Sequence, residues 1–194
     1  MTPRMLVNGL VAEQLPALDR GLAYGDGLFE SIRLIGVSAP LWSRHMRRLT
    51  ESCARLQIPA PDAAQLWREA LAVSSGMAQA VVRITITRGS GDRGYVLPAS
   101  PRPTRVVAAF EPPPIVAAAH AQGVRMRVCD IRLGEQPLLA GIKHLNRLEQ
   151  VLARAEWNDP RSPKDQSGLL RRPVCRRLGF RTRGSPSGSL RSLD

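Results

Sequence analysis

The chain has 194 residues, 43% of them hydrophobic, enough to bury one ordinary core; at 4% aromatics, Leu, Val, Ile and Ala must fill it. No apolar run approaches the ~18 residues of a bilayer span, and the N-terminus carries no apolar signal segment, so neither a membrane span nor a secretory leader is expected. The net charge of +12 suggests a polyanion partner, but residues 161–194 hold nine basic and two acidic side chains, a net of +7 that leaves only +5 for residues 1–160.

In chain order, residues 4–8 read as a short strand ending at the Asn8-Gly9 turn signal, with 10–14 as its returning partner. A glycine-rich turn, Gly21–Gly27, runs into a strand over 28–35. There Phe29, Ser31 and Arg33 alternate with Leu28, Glu30, Ile32 and Leu34, so both faces carry functional or buried groups. Residues 43–57 form a helix with Met46, Leu49, Cys53 and Leu56 at helical spacing and Ser43 as its expected N-cap. Pro59 and Pro61 stop it, and Asp62 caps a second helix reaching about Val73. Residues 80–87 make the clearest strand, rich in β-branched side chains, followed by the loop RGSGDRGY. Strands are expected over 104–110 and 124–129, separated by Pro112–Pro114 and a small Ala-rich helix. Residues 144–157 form an amphipathic helix with Leu145, Leu148, Val151, Leu152 and Ala155 on one face.

After Asp159-Pro160 no period persists. The tail is mostly Arg, Ser, Gly and Pro with scattered Leu, and it is expected to be disordered and basic. The whole reads as an α+β protein with a mainly antiparallel sheet and helices to one side. Cys53, Cys129 and Cys175 are too few and too widely spaced for a disulfide framework or zinc ligands. Their free thiols point to the cytoplasm. His45, His120 and His144 show no ligand spacing, and His45 and His144 are expected to be structural. No metal site is expected.

Four segments carry chemistry. In LLAGIKHLNRLEQVLAR (138–154), Lys143 follows Leu138, Leu139, Ala140 and Ile142 and precedes a helix; a nucleophilic lysine needs such apolar surroundings and a rigid neighbour. The second segment is GLAYGDGLFESIRL (21–34), the third RHMRRL (44–49), the fourth TRGSGDRGY (87–95). Together they resemble the fold-type IV pyridoxal-phosphate enzymes, and AGIKHLNRLEQVL is most similar to the aminodeoxychorismate lyases among them. The resemblance implies the N-terminal domain of the D-amino-acid aminotransferase-like fold over 1–120, and the start of a C-terminal domain over 121–160 bearing the cofactor lysine.

It further implies pyridoxal 5'-phosphate held by Lys143, with Arg48 of the His-x-x-Arg-Leu motif on its phosphate. An arginine suits that role because its planar fork can hold two oxygens at once. Phe29 takes the place of an aromatic residue in the substrate pocket, and Arg93 and Tyr95 line the substrate side. In the lyases' RGSGGRGY segment a glycine stands where Asp92 stands here. The implied reaction releases pyruvate and 4-aminobenzoate, a folate precursor, from 4-amino-4-deoxychorismate, in a homodimer.

The family's later glutamate and its Ser-Asn phosphate loop have no counterpart after Lys143. The remainder of the C-terminal domain is therefore expected to be missing, with 161–194 an out-of-frame reading and the activity of this chain doubtful. A class-IV aminotransferase for D- or branched-chain amino acids is the nearest alternative. A basic nucleic-acid-binding protein is a second, but only Phe180 interrupts the tail arginines and no recognition helix appears, so no specific nucleic acid is expected.

Overall fold

The computed structural model describes residues 4–112, 125–156 and 171–177. The chain forms two compact units. One comprises Met1–Ile115 with Gly141–Arg147, the other Val116–Ala140 with Leu148–Asp194. The first unit thus takes in the lysine segment, which the sequence-based division had grouped with residues 121–160.

In the first unit a five-stranded antiparallel sheet runs in the order β2-β1-β5-β4-β3. Its strands are β1 (Met5–Val7), β2 (Leu10–Val11), β3 (Gly27–Ile35), β4 (Gln79–Thr87) and β5 (Thr104–Phe110). The short helix α1 (Arg20–Tyr24) leads into β3, and α2 (Trp42–Arg55) and α3 (Ala63–Val73) link β3 to β4. The alternation expected along β3 holds: Leu28, Glu30, Ile32 and Leu34 are buried, while Ser31, Arg33 and Ile35 are exposed. Leu28, Ile32 and Leu34 join Val82, Ile84 and Ile86 of β4, Val107 of β5, Met46, Leu49 and Cys53 of α2, and Leu66, Ala70 and Val73 of α3 in one core. Burial pushes the Cys53 thiol up to about 11, which makes it an inert filler of that core.

Asp62 caps α3 as expected, accepting from the Ala64 and Gln65 amides. Ser43 does not cap α2. That helix begins one residue earlier at Trp42, behind Leu41 and without a side-chain cap. The Trp42 ring meets Trp67 of α3 edge-on, centroids 4.8 Å apart, so aromatic packing fixes this end of the helix pair.

The second unit holds β6 (Arg125–Leu133), a 3-10 turn (Pro137–Leu139), α4 (Leu148–Ala155) and β7 (Arg171–Arg177). The Glu156 carboxylate accepts from the Asp130 and Ile131 amides, and Glu149 from the Gly134 amide, tying α4 to β6. β7 pairs parallel with β6, so this part of the tail is ordered, contrary to expectation. Backbone pairing to a strand edge depends little on side-chain type, and the Arg-rich composition gave no sign of it. Residues 161–170 and 178–194, and the Ala-rich helix expected before β6, lie outside the described residues.

Replacing Leu66, fully buried at the centre of this core, with alanine should cost about 2–5 kcal/mol in urea unfolding followed by circular dichroism. Replacing the exposed Leu22 should change stability by less than about 0.5 kcal/mol. Equal effects would mean that the helices do not pack on the sheet as described.

Candidate active site at the edge of the sheet

Strand β3 is the last of its sheet, yet its free edge is occupied. The Phe29 amide donates to the Lys143 carbonyl at 2.9 Å, and the Leu145 amide donates to the Gly27 carbonyl at 3.0 Å. Leu28 and His144 form an antiparallel bridge between these bonds. The segment Lys143–Leu145 therefore pairs with the edge of β3 through a single bridge, and the expected helix from 144 starts only at Leu148. A residue cannot give its backbone to a sheet edge and to a helical turn together.

Two glycines make room for this segment. Gly25 has a φ of +66°, in the left-handed region, and a Cβ there would strike the side-chain amide of Asn146. A Cβ on Gly27 would lie 2.5 Å from the Ile86 carbonyl oxygen and 2.9 Å from Leu145 Cδ1. The Tyr-Gly-Asp-Gly turn and the lysine segment thus fit each other physically.

Antiparallel partners project to the same face, so Lys143 stands beside Phe29, with Nζ 4.5 Å from the ring centroid. Two arginines share that ring: Arg83 of β4 at 4.1 Å and Arg147 at 5.3 Å. The Nε of Arg147 is buried and has no hydrogen-bond partner among the described residues. Burial lowers the Lys143 pKa. The Glu30 carboxylate opposes this, while Arg147, Arg48 and Arg83 add to the lowering. Lys143 therefore reaches its neutral, nucleophilic form at a lower pH than an ordinary lysine does.

Glu30 points from β3 toward α2, its side chain 1% exposed. It takes a bidentate pair from Arg48, Nε at 2.6 Å and Nη2 at 2.5 Å. His45 Nδ1 lies 2.8 Å from the same carboxylate. Burial opposes ionisation of Glu30, but the hydrogen bonds from Arg48 and His45 outweigh it and hold the carboxyl below its usual range. Arg48 itself is 46% exposed. Two of its five N–H groups are committed to Glu30, and the rest of the fork has no further partner among the described residues.

Phe29, Lys143 and Arg48 thus lie around one strand. Arg93 and Tyr95 occupy a different place, the loop after β4. Tyr95 is 85% exposed and its ring meets Tyr24 at 5.4 Å. Glu30, Arg83 and Arg147 were not singled out from the sequence. Glu30 had a signal, an acid on the inward-facing positions of a strand. The two arginines had none beyond their closeness to motif residues.

A family model, amino-transferase class IV, matches residues 27–161. The chain belongs to the class IV aminotransferase family. It is 42% identical over 154 residues to an aminodeoxychorismate lyase from Vibrio harveyi, a match covering 77% of this chain and 55% of that protein. The crystal structure of the 4-amino-4-deoxychorismate lyase from Pseudomonas aeruginosa superimposes with a TM-score of 0.74 at 49% identity, covering 80% of this chain and 57% of that one. A hypothetical aminotransferase from Mycobacterium tuberculosis, solved with alpha-ketoglutarate and PMP bound, gives 0.59 at 26% identity, covering 75% and 53%. The chain spans about half the length of these relatives. The fold is that of the fold-type IV aminotransferases.

Glu30→Gln should leave Arg48 and His45 facing a weaker acceptor and cost on the order of 1–2 kcal/mol at neutral pH, discounted for the half-exposed arginine. Because folding lowers the Glu30 pKa, its contribution is full above the unfolded carboxylate value and fades as pH falls through the folded one. Wild-type and variant stabilities should converge in acid; a gap independent of pH would mean that the carboxylate charge plays no part.

Proposed function

We propose that this chain carries the cofactor-anchoring half of a pyridoxal-phosphate-dependent aminodeoxychorismate lyase, acting in the cytoplasm as a homodimer. The observation that carries the reading is the Lys143 amine, deprotonated more easily than an ordinary lysine, sharing the Phe29 ring with Arg83 and Arg147 and with Arg48 near enough to disfavour its charge. The identities to the Vibrio and Pseudomonas lyases support it.

These residues fit a pyridine aldehyde bearing a phosphate. A neutral amine is needed to condense with the aldehyde, and fixed guanidinium charges are needed for the dianion. When bound, the cofactor would act as a sink for the electrons released by loss of a proton next to nitrogen.

Lys143 would hold the cofactor covalently and, when its amine is free, would act as the base. Its Nζ takes the proton from the ring carbon bearing nitrogen. The ether bond then breaks with its electron pair on oxygen, and the departing enolpyruvate gains a proton to become pyruvate. The ring left behind is aromatic 4-aminobenzoate. Lysine can serve as base and later as acid, and its lowered pKa makes the neutral form easier to reach than in an ordinary lysine. Arg48 would hold the phosphate, while Glu30, which His45 also contacts, holds Arg48. Phe29 supplies an apolar wall that keeps the amine from water, and Arg93 and Tyr95 approach the acidic substrate from the loop after β4. Amino-group transfer by a class IV aminotransferase would use the same lysine and differs by leaving no pyruvate from aminodeoxychorismate.

The sequence contains two lysines, Lys143 and Lys164, so covalent trapping gives a clear answer. Borohydride reduction in the presence of pyridoxal phosphate should place the label on Lys143, seen by peptide mass spectrometry. Arg48→Gln should require roughly tenfold more cofactor for the same labelling, the loss of one charge-assisted contact. Label on Lys164 alone, or none, would overturn the assignment.

A further inference from the structure

The loop that follows β4 belongs to no strand between Arg88 and Thr104, and Asp92, Arg93, Tyr95, Val96 and Leu97 are all exposed. Its start is held by backbone, the Arg20 amide donating to the Gly89 carbonyl at 2.9 Å beside an Asp19–Ser90 bridge, and farther along it is held by a buried cation. The Arg20 side chain, on α1, is 4% exposed. Its Nε donates to Asp26 Oδ2 at 2.8 Å, and its Nη1 donates to the carbonyls of Gly94 at 3.0 Å and Val96 at 3.3 Å. The guanidinium lies 4.9 Å over the Tyr24 ring, whose hydroxyl accepts from the Gly94 amide at 2.9 Å. Both polar backbone groups of Gly94 are therefore spoken for by α1.

Asp26 is shared. Arg88, also 4% exposed, donates to both its oxygens at 2.8 and 3.0 Å and continues to the carbonyls of Leu56 and Gln57 just beyond α2. One carboxylate thus ties the loop, through Arg20, to the end of the helix that carries Arg48. Hydrogen bonds from Arg88 and Arg20 outweigh the effect of burial and keep Asp26 ionised.

We propose that Arg20 is a positioning residue: its side chain clamps the loop over 94–96 to α1 and so fixes the placement of Arg93 and Tyr95 on either side of Gly94. The residue type matters. Three acceptors, one carboxylate oxygen and two carbonyls, are met by one rigid planar fork. A lysine can keep the charge beside Asp26 but cannot reach both carbonyls in that plane. The significance for catalysis rests on the reading that Arg93 and Tyr95 face the substrate; the clamp itself does not.

Hydrogen exchange read by mass spectrometry on the full chain tests it. Arg20→Gln should accelerate exchange in peptides spanning 89–97 by tenfold or more and leave β4 and β5 unchanged. Arg20→Lys should lie between it and wild type. Arg33→Gln, which removes an exposed arginine bonded to Gln79, should match wild type. Trypsin cleavage after Arg93 should speed up in the same order. Unchanged loop exchange in Arg20→Gln overturns the proposal, as does an equal rise across β4, β5 and the loop, because Arg20 would then be a general contributor to stability. If the loop loosens while the affinity for aminodeoxychorismate, read by equilibrium dialysis, stays fixed, the clamp stands and the substrate role of Arg93 and Tyr95 falls.

Discussion

Two backbone hydrogen bonds, Phe29 to Lys143 and Leu145 to Gly27, determine where the Lys143 amine sits. A lysine on a loose connection would sample solvent and keep an ordinary pKa. Pinned as the neighbour of β3, Lys143 is held against the Phe29 ring, where burial and nearby guanidinium groups disfavour its charged form. The pairing in turn depends on Gly25 and Gly27, because a side chain at either would occupy the space of Asn146 or Leu145. Motifs more than a hundred residues apart are thus two halves of one steric fit.

The opposite face of the same strand meets a different requirement. Glu30 draws Arg48 and His45 of α2 onto β3 and orients the guanidinium through two of its donors. Such an arrangement is costly to desolvate unless each partner is satisfied, and here the carboxylate accepts three close contacts. It also tempers the cationic surroundings of Lys143, since Glu30 favours the ammonium while the arginines oppose it. The balance between one carboxylate and several guanidinium groups sets how readily the amine gives up its proton.

Much of this was legible from the residues. Period-two alternation located β3 and β4, and Asp62 marked the start of α3 correctly. The lysine segment was the instructive failure. Leu145, Leu148, Val151 and Leu152 fit a helical stripe, so the pattern ran the helix back to residue 144. The sheet edge claimed the first residues instead, and no local signal reports a partner in β3. The contribution of Arg83 and Arg147 was hidden for the same reason: their closeness to Lys143 exists only once β4 and the lysine segment flank β3. The strand over Arg171–Arg177 was likewise unreadable, since its order comes from pairing with β6 and not from its own composition.

Titration of the Lys143 amine in a chain labelled with carbon-13 lysine would test the account most directly, because only two lysines contribute signals. The expected result is one ε-carbon resonance, absent from Lys143→Met, whose midpoint falls below the ordinary value of about 10.4 and returns toward it in Arg147→Leu. A Lys143 signal titrating at or above the ordinary value would contradict the account, because the amine would then be neither sheltered nor ringed by positive charge.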